Sequence, residues 1–541
     1  MNENNKKIIL DGASLTIEDV VRVARDGWQV EIAQQNRDEI DRVRKYIDEH
    51  WTSDDAPSIY GFNTGVGKLK DMNISAEQND LFQRNIILSH CGCLGEPASE
   101  ELVRATMLIR LNSCAQGASG LRMAVMDRLT EMLNRGVHPV IPLLGSVGAS
   151  GDLAPLAHMT SVLIGYHEAE AFYEGKRMSA SDALKAAGIA PVAFQLKAKD
   201  ALALINGTTM FAAYAALNCY DAMSLAKQAD AICALSLEAV RGELAAFDHR
   251  IQLARRHKGQ ICCAENVRRL TAGSTRTTEE ARKVHLKYDV LHPVYQPRVQ
   301  DLYSLRCMPQ VHGAVHNNLE QIWGAIESEL NAVTDNPLVF WNDEGGLDFL
   351  SGGNFHGEPI AFAMDALAVS LTELGNISER RTFSMCDSAL SYGIPPMLAG
   401  EPTGLNCGYA VISCAAAALT SENKTLCFPA TADSVATKSN QEDHVSMAPW
   451  AARKARAIMH NLEKILGIEA LIAAQAITIT EEELGQFKLG MGTEAVFREI
   501  RQATPGTKKD EYMPKQSNAC VRLVEERKLL AAAEAAVGAL A

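Results

Sequence analysis

Residues 364–374 read MDALAVSLTEL, and together with residues 456–466, RAIMHNLEKIL, they decide the fold class. The large apolar side chains of the two stretches recur every three or four residues and are Met364, Leu367, Leu371 and Leu374, then Ile458, Leu462, Ile465 and Leu466. This spacing is typical of a helix that buries one face. Stripes of this kind, joined end to end, predict a mainly α protein built on a central bundle of long helices.

Composition and charge limit the classes of function that we expect. The 541 residues contain 52 Lys and Arg against 66 Asp and Glu, which gives a formal net charge of −14. Because an acidic surface repels phosphate backbones and anionic lipids, we expect neither a nucleic-acid nor a membrane partner. Aromatic residues make up only 6% of the chain, which favours helices over a β-sandwich.

Length predicts roughly three to four domain-sized units. From the distribution of loops and helices we expect three consecutive regions. They are a loop-rich N-terminal region (1–215), a central helical bundle (216–480) and a C-terminal helical cap (481–541).

The cysteines and the apolar segments predict a cytoplasmic protein. Thirteen cysteines are scattered through the chain, and the close pairs Cys91/Cys93 and Cys262/Cys263 lack the spacing of a zinc site. We therefore expect reduced thiols and no metal. The N-terminus lacks a secretory apolar segment, and polar residues interrupt the uncharged stretches 201–220 and 402–421, so we expect no membrane span.

The most informative loop is residues 145–156, GSVGASGDLAPL. Its simplest interpretation is a Gly-rich turn that opens a helix, with Asp152 at the N-cap. A phosphate-binding loop is disfavoured because neither a Lys-Ser/Thr ending nor G-x-G-x-x-G is present.

A third interpretation uses the tripeptide Ala149-Ser150-Gly151. In a sharply bent chain the amide nitrogen of Gly151 can attack the carbonyl carbon of Ala149. Dehydration, including loss of the Ser150 hydroxyl, then leaves a five-membered ring with an exocyclic methylene. Glycine is required third because a side chain there would crowd the ring closure.

The flanks of this tripeptide favour the third interpretation. Residues 145–158, GSVGASGDLAPLAH, resemble the signature of the ammonia-lyases and aminomutases that make their own 4-methylideneimidazol-5-one (MIO) electrophile. Within that family the resemblance is strongest to the histidine ammonia-lyases, and it extends from about residue 59 to 477. It implies the mainly α architecture of the fumarase/aspartase-like superfamily, with the MIO group in the N-terminal region and no diffusible cofactor. It also implies a homotetramer whose active site draws on three subunits.

Further motifs in the same order carry the resemblance. They are YGFNTGVG at 60–67 with Tyr60, NGT at 206–208 with Asn206, QDLYSLR at 300–306 with Gln300, Tyr303 and Arg306, and GGNFH at 352–356 with Phe355. The matches imply that these residues line the active site. We leave Asn336 and Asn354 out, because turn roles explain them equally well.

The chemistry of ammonia elimination suggests a role for each residue. A base must remove a barely acidic β-proton, and a tyrosinate in a dry, positively biased pocket fits that task. We assign the base to Tyr60, with Tyr303 assisting. Arg306 can clamp the substrate carboxylate, and Asn206 and Gln300 can act as neutral donors. Taken singly, a tyrosine is more often a hydrogen-bonded core residue and an arginine more often a surface ion pair.

Two residues bear on the substrate. His90 resembles the position that faces the substrate side chain in histidine lyases, although some tyrosine enzymes also carry His there. Glu442, in NQEDHVSM at 440–447, matches the histidine enzymes, whereas the aromatic enzymes mostly read NQD. A carboxylate facing an imidazole N–H makes a charge-assisted hydrogen bond that a phenyl ring cannot make. The alternatives for Glu442 are a helix N-cap and a structural salt bridge.

The resemblance therefore implies conversion of L-histidine to trans-urocanate and ammonium. The alternatives are an MIO-dependent phenylalanine or tyrosine ammonia-lyase, a 2,3-aminomutase and, in another class, a catalytically inactive helical scaffold. The sequence departs from that usual for the histidine enzymes at Ala410, at Ser413 and at residues 391–395. The pocket for the substrate side chain can therefore differ from theirs.

Overall fold

The computed structural model describes residues 6–541. Within this range the chain forms 21 α-helices: α1 Ile17–Ala24, α2 Gln34–His50, α3 Ala76–His90, α4 Glu100–Ala115, α5 Met123–Asn134, α6 Leu153–Leu163, α7 Ala180–Ala186, α8 Asp200–Ile205, α9 Thr209–Ala239, α10 His249–Arg255, α11 Lys258–Leu270, α12 Glu279–Lys283, α13 Tyr303–Arg306, α14 Met308–Leu330, α15 Glu358–Cys386, α16 Ala410–Leu426, α17 Ala448–Ile479, α18 Glu481–Leu484, α19 Met491–Ala503, α20 Met513–Glu525 and α21 Lys528–Val537. The same range contains nine short strands: β1 Lys7–Leu10, β2 Gln29–Ile32, β3 Leu94–Pro97, β4 His138–Pro139, β5 Pro142–Leu144, β6 Glu170–Tyr173, β7 Lys176–Ser179, β8 Leu338–Trp341 and β9 Leu347–Leu350.

The predicted mainly α fold is confirmed, and so are the two apolar stripes. All eight stripe residues are completely buried, on α15 and α17. Helix α15 is also long and apolar enough to cross a membrane by length and composition. However, 72% of its most apolar window is buried inside the protein, as in the core helix of a bundle.

The chain groups into two compact units, each assembled from three segments. The first comprises Met1–Tyr220, described from Lys6 onward, with Trp323–Asp365 and Pro429–Arg453. The second comprises Asp221–Ile322, Ala366–Phe428 and Lys454–Ala541. Four of the five boundaries fall inside the long helices α9, α14, α15 and α17, and the fifth lies after α16, between Phe428 and Pro429. This grouping by contacts does not test the predicted order of three consecutive regions, which stays a prediction.

The first unit contains the strands. They form a parallel pair β1–β2, antiparallel pairs β3–β5 and β8–β9, and an antiparallel sheet in the order β4–β6–β7. A compact apolar cluster joins α2, the loop after it and the β8–β9 hairpin: Val43, Ile47, Trp51, Ile59, Phe62, Val339 and Leu347. The ring of Trp51 packs edge-on against Phe62, with centroids 5.6 Å apart. This cluster anchors residues 59–62 and so fixes the position of Tyr60.

The second unit is helical and buries a network of ion pairs and hydrogen bonds. Arg381 and Glu469 pair there, with Arg381 Nη2 donating to Glu469 Oε2 at 2.9 Å, and both side chains are almost fully buried. The hydroxyl of Ser236 donates to the same carboxylate at 2.7 Å. Because a buried charge needs partners for all its polar atoms, these contacts hold the helices of this unit in one register.

Candidate active site

The Ala149-Ser150-Gly151 tripeptide forms a sharp bend. The backbones of Ala149 and Gly151 pair with each other although they lie only two positions apart, and Gly151 also pairs with Gly207. Gly151 has φ +68°, and a Cβ built on it would lie 2.0 Å from the carbonyl oxygen of Gly207. Only glycine fits this position, and a sharp bend without a side chain at residue 151 is compatible with ring closure between residues 149 and 151. The residues present therefore fit the MIO group.

Asp152 differs from its predicted role. It occupies the N-cap position of α6, but its side chain makes no capping hydrogen bond to that helix. Its carboxylate instead accepts from the N–H groups of Met210 (2.8 Å) and Phe211 (3.0 Å), in the first turn of α9. The N–H of Asp152 donates to the carbonyl oxygen of Gly207 at 2.7 Å. Burial raises the pKa of Asp152 to about 7. Asp152 thus ties the 149–151 bend to the 206–209 turn, a long-range contact that motif spacing cannot reveal.

Asn206 lines the same cavity as Ala149 and Ser150, and both of its side-chain amide hydrogens are hydrogen-bonded within the protein. Its Nδ2 donates to Asp335 Oδ1 at 2.9 Å and to the carbonyl oxygen of Asn336 at 3.1 Å. Asp335 in turn pairs with Lys199 at 2.8 Å, both side chains being fully buried. Because both amide hydrogens are taken, Asn206 offers the cavity a carbonyl acceptor rather than the predicted donor. Sequence analysis missed Lys199 and Asp335, which carry no motif of their own.

Tyr60 lies in the cavity, where burial and nearby charges act on its hydroxyl. Its hydroxyl oxygen accepts from the N–H of Gly67 at 2.9 Å. Burial raises the pKa of Tyr60, and the negative charges of Glu442 and Asp335 raise it further, while the Gly67 hydrogen bond acts in the opposite direction. Within the first unit, therefore, the phenol is held neutral, and the expected positive bias stays a prediction.

Glu442 is held by three donors. Thr437 Oγ1 donates to Oε2 at 2.5 Å, and Lys438 Nζ lies 3.0 Å and Ser150 Oγ 3.1 Å from Oε1. Burial alone would raise the pKa of Glu442, but these three donors outweigh it and hold the pKa below its ordinary value. The carboxylate is therefore ionised in the cavity. The contact with Lys438 is a salt bridge, which the sequence analysis gave as an alternative role for Glu442, and both residues line the apolar extension of the cavity.

His90 ends α3 and lines an apolar extension of about 590 Å³ with Phe82, Leu202 and Ile205. Its Nδ1 lies 2.8 Å from the carbonyl oxygen of Ile86. Burial lowers the pKa of His90, and Lys438 acts in the same direction. A neutral ring that donates from Nδ1 leaves Nε2 as an acceptor.

The main cavity measures about 900 Å³. Its lining includes Tyr60, Ala149, Ser150, Asn206, Phe355 and Glu442, so the structure brings together predicted residues from five separate motifs. The apolar extension shares Tyr60, Ser150, Asn206 and Glu442 with it.

The lining also contains residues that were not predicted, among them Asn336, His356 and His444. The two histidine rings stack with centroids 5.5 Å apart. His356 lies in the quoted motif GGNFH and His444 in NQEDH, but the sequence analysis assigned roles only to the neighbouring residues Phe355 and Glu442.

Metal-ligating atoms do cluster at two places in the described chain. His356, Glu358 and His444 form one group, and Asp230, Cys263 and His316 in the second unit form the other, with the ligand atoms within 4.8 Å of one another. The expected absence of a metal stays a prediction.

Gln300, Tyr303 and Arg306 belong to the second unit, and they are not among the described residues that line the main cavity. The Tyr303 side chain is 71% exposed, which argues against a core role, and the Arg306 guanidinium lies 4.3 Å from its ring centroid. Arg306 Nε donates to the carbonyl oxygen of Asp301 at 3.1 Å. Gln300 lines a separate cavity of about 220 Å³ with Arg241 and Arg298.

Known proteins resemble this chain over nearly its whole length. Residues 15–502 match the family model of the aromatic amino acid lyases. The histidine ammonia-lyase of Alkaliphilus oremlandii is 44% identical over 98% of this chain and 99% of its own, and that of Caldanaerobacter subterraneus is 44% identical over 97% of each. Among solved structures, the histidine ammonia-lyase of Trypanosoma cruzi has a TM-score of 0.86 at 35% identity, covering 98% of this chain and 96% of its own. The tyrosine aminomutase of Streptomyces globisporus has a TM-score of 0.89 at 34% identity, covering 98% and 99%. A bent Ala-Ser-Gly tripeptide facing a tyrosine and an ionised glutamate thus occurs in a chain that belongs to the aromatic amino acid lyase family.

Proposed function

We propose that this protein is a histidine ammonia-lyase, which converts L-histidine to trans-urocanate and ammonium. The observation that carries the substrate is the ionised Glu442 in the same cavity as the 149–151 bend and His90. Beside a phenyl ring this carboxylate would gain no hydrogen bond from the substrate, whereas an imidazole N–H offers it a charge-assisted one. The curated relatives named histidine ammonia-lyase, at 44% identity, support this assignment.

We propose further that Ala149, Ser150 and Gly151 form the MIO group. The positive φ of Gly151 and the lack of room for a Cβ support ring closure at this bend. When formed, the group supplies an electrophile that turns the substrate amine into a better leaving group.

The residues around it then have separate tasks. Tyr60 takes the β-proton, and the carbonyl oxygen of Asn206 accepts from the substrate ammonium. Phe355 forms an apolar wall, the Glu442 carboxylate accepts the imidazole N–H, and His90 lines the same apolar extension as Glu442.

Gln300, Tyr303 and Arg306 complete the site, in our proposal, from other copies of the chain in a homotetramer. The exposure of Tyr303 and the absence of all three from the described lining of the main cavity support this. Arg306 would bind the substrate carboxylate, and its charge would lower the pKa of Tyr60 toward the range of a working base.

We also propose that the enzyme acts in the cytoplasm, without nucleic-acid, membrane or metal partners. All thirteen cysteines lie in the described range and are free thiols, in keeping with a reducing compartment.

An aromatic ammonia-lyase or 2,3-aminomutase is the second candidate, favoured by the structural likeness to a tyrosine aminomutase. Purified protein is incubated separately with L-histidine, L-tyrosine and L-phenylalanine, and the conjugated acrylate is followed by its ultraviolet absorbance. We expect urocanate from L-histidine. Absence of urocanate, with cinnamate-type product or a β-amino acid from the other substrates, would overturn the substrate assignment. An intact mass equal to that of the unmodified chain would instead support an inactive scaffold.

A further inference from the structure

The Ser150 hydroxyl is hydrogen-bonded to the carboxylate of Glu442. Ser150 Oγ donates to Glu442 Oε1 at 3.1 Å. This hydroxyl is the group that must depart when the MIO ring acquires its methylene. The contact therefore connects Glu442 with the formation of the MIO group as well as with substrate binding.

The carboxylate is held in place for this contact. Thr437 Oγ1 binds the other oxygen, Oε2, at 2.5 Å, and Lys438 Nζ lies 3.0 Å from Oε1. The backbone fixes the segment too, since the N–H of Thr437 donates to the carbonyl oxygen of Glu442 at 2.9 Å. The exposed fraction of the Glu442 side chain is only 14%. A carboxylate positioned in this way, in contact with a reacting atom, is suited to acid–base catalysis.

We propose that Glu442 is the catalytic acid–base residue that eliminates the Ser150 hydroxyl during MIO formation. This inference rests on the proposed function, because it concerns the maturation of the same site. It assigns Glu442 a task that comes before any substrate binds.

The elimination balances without another reagent. The Gly151 nitrogen first bonds to the Ala149 carbonyl carbon, and its proton passes to the carbonyl oxygen. The resulting hydroxyl leaves as the first water with the proton of the Ser150 nitrogen, and a C=N double bond forms between that nitrogen and the Ala149 carbon. The Glu442 carboxylate then takes the proton from Ser150 Cα, and that electron pair forms the Cα–Cβ double bond as the Cβ–Oγ bond breaks. The carboxyl group returns the proton to the departing oxygen, which leaves as the second water. Glu442 ends as the carboxylate with which it began.

Loss of the hydroxyl also changes what Glu442 can bind afterwards. Oε1 loses one of its two donors, Ser150, and keeps Lys438, while Oε2 keeps Thr437. The vacated direction points into the cavity that Ser150 and Glu442 both line. A substrate N–H can then take the place of the lost hydroxyl, so that maturation prepares the carboxylate for its role in binding.

The test measures mass rather than turnover. Wild type and Glu442→Gln are made by cell-free synthesis, and the intact mass of the denatured protein is followed over time. We expect wild type to lose two water molecules. We expect Glu442→Gln to lose the Ser150 hydroxyl about 10²–10⁴-fold more slowly, the range typical of an acid–base group. Peptide mapping should locate the retained hydroxyl at Ser150.

Asp443→Asn is the matched control, because it neutralises the next carboxylate, an exposed one that lines the same cavity. It should lose both waters at the wild-type rate. Glu442→Asp keeps the charge that Lys438 binds, so it guards against a folding defect in the glutamine variant. The aspartate variant should dehydrate more slowly than wild type.

The outcomes separate the two proposals. Loss of both waters at the wild-type rate in Glu442→Gln or in Glu442→Asp overturns the role of Glu442 and leaves the proposed function standing. A wild-type chain that loses no water overturns the proposed function itself.

Discussion

Replacing Tyr60 by Phe removes one hydroxyl and nothing else, so the effect can be worked out from the structure. The hydroxyl accepts a hydrogen bond from the N–H of Gly67 at 2.9 Å. A neutral hydrogen bond of this kind contributes about 0.5–1.5 kcal/mol to the free energy of unfolding. The ring itself keeps its packing, because Phe has the same shape. Tyr60→Phe should therefore fold, with a small loss of stability.

The expected loss of activity is larger. A positioned general base contributes about 10²–10⁴-fold to the rate. At 1.36 kcal/mol for each factor of ten, this corresponds to about 3–5 kcal/mol of the activation barrier. Because the effect on the barrier exceeds the effect on stability, the two can be measured separately in one variant.

The assay is steady-state formation of urocanate from L-histidine, together with thermal unfolding and intact mass. Tyr60→Phe should lose two waters like the wild type, unfold at nearly the same temperature and show a kcat lower by about 10²–10⁴-fold. Tyr173→Phe, on β6 of the same unit, is the control and should leave kcat unchanged. A loss smaller than about tenfold for Tyr60→Phe would refute its role as the base and return Tyr303 to consideration.

Further substitutions test other parts of the site. Ser150→Ala should abolish the exocyclic methylene and nearly all activity while leaving the unfolding temperature unchanged, and normal turnover in this variant would end the MIO hypothesis. Gly151→Ala should destabilise the protein by more than Gly175→Ala, because both glycines have positive φ but a Cβ at Gly175 would meet nothing within 4 Å; equal changes in unfolding temperature would contradict the close contact with residue 207. Glu442→Gln should lower kcat/KM for L-histidine relative to L-phenylalanine by roughly 10–150-fold, the range expected when a charged hydrogen bond is lost; the ratio is independent of how much enzyme has matured, and an unchanged ratio would remove Glu442 from substrate recognition. Burial raises the pKa of Asp152 from 3.8 to about 7, so this carboxyl group ionises less readily in the folded than in the unfolded chain. The free energy of unfolding should therefore fall as pH rises between these two values. Asp152→Asn should remove most of this fall, and a variant with the same pH dependence as wild type would assign it to other groups.

Sequence analysis could name candidates for the residues whose chemical type the proposed reaction dictates. In that proposal Ala149, Ser150 and Gly151 must be small, hydroxylated and without a side chain, respectively, and Tyr60 must carry an ionisable hydroxyl. Such requirements produce short sequence motifs that can be recognised without a structure. The apolar stripes are predictable for a similar reason, since burial of one helix face demands a fixed spacing.

The sequence could not predict contacts that depend on long-range folding. Asp152 was expected to cap its own helix, yet its carboxylate binds the first turn of α9, some 58 residues away. Asn206 was expected to donate to the cavity, yet Asp335 and Asn336 take its amide hydrogens. Asp152 accepts from backbone N–H groups as a capping residue would, but from those of another helix, and Asn206 donates within the protein rather than into the cavity. In both cases the partner comes from a distant part of the chain, and no local pattern specifies it.

The electrostatics of Tyr60 connect the chemistry to the organisation of the chain. The charged groups that act on its hydroxyl within the first unit, Glu442 and Asp335, are both carboxylates, and both raise its pKa. A tyrosine held in this way is an acid too weak to work as a tyrosinate near neutral pH. The proposed base therefore needs a nearby cation, and the sequence motifs offer Arg306, which belongs to the second unit and is not among the described residues that line the cavity. Since one opposite charge within about 4–6 Å can lower a pKa by 1–3 units, a guanidinium brought by another copy of the chain would oppose the effect of the two carboxylates. Assembly would then lower the pKa of Tyr60 toward the range of a working base, which is the reason for our proposal that other copies of the chain complete the site.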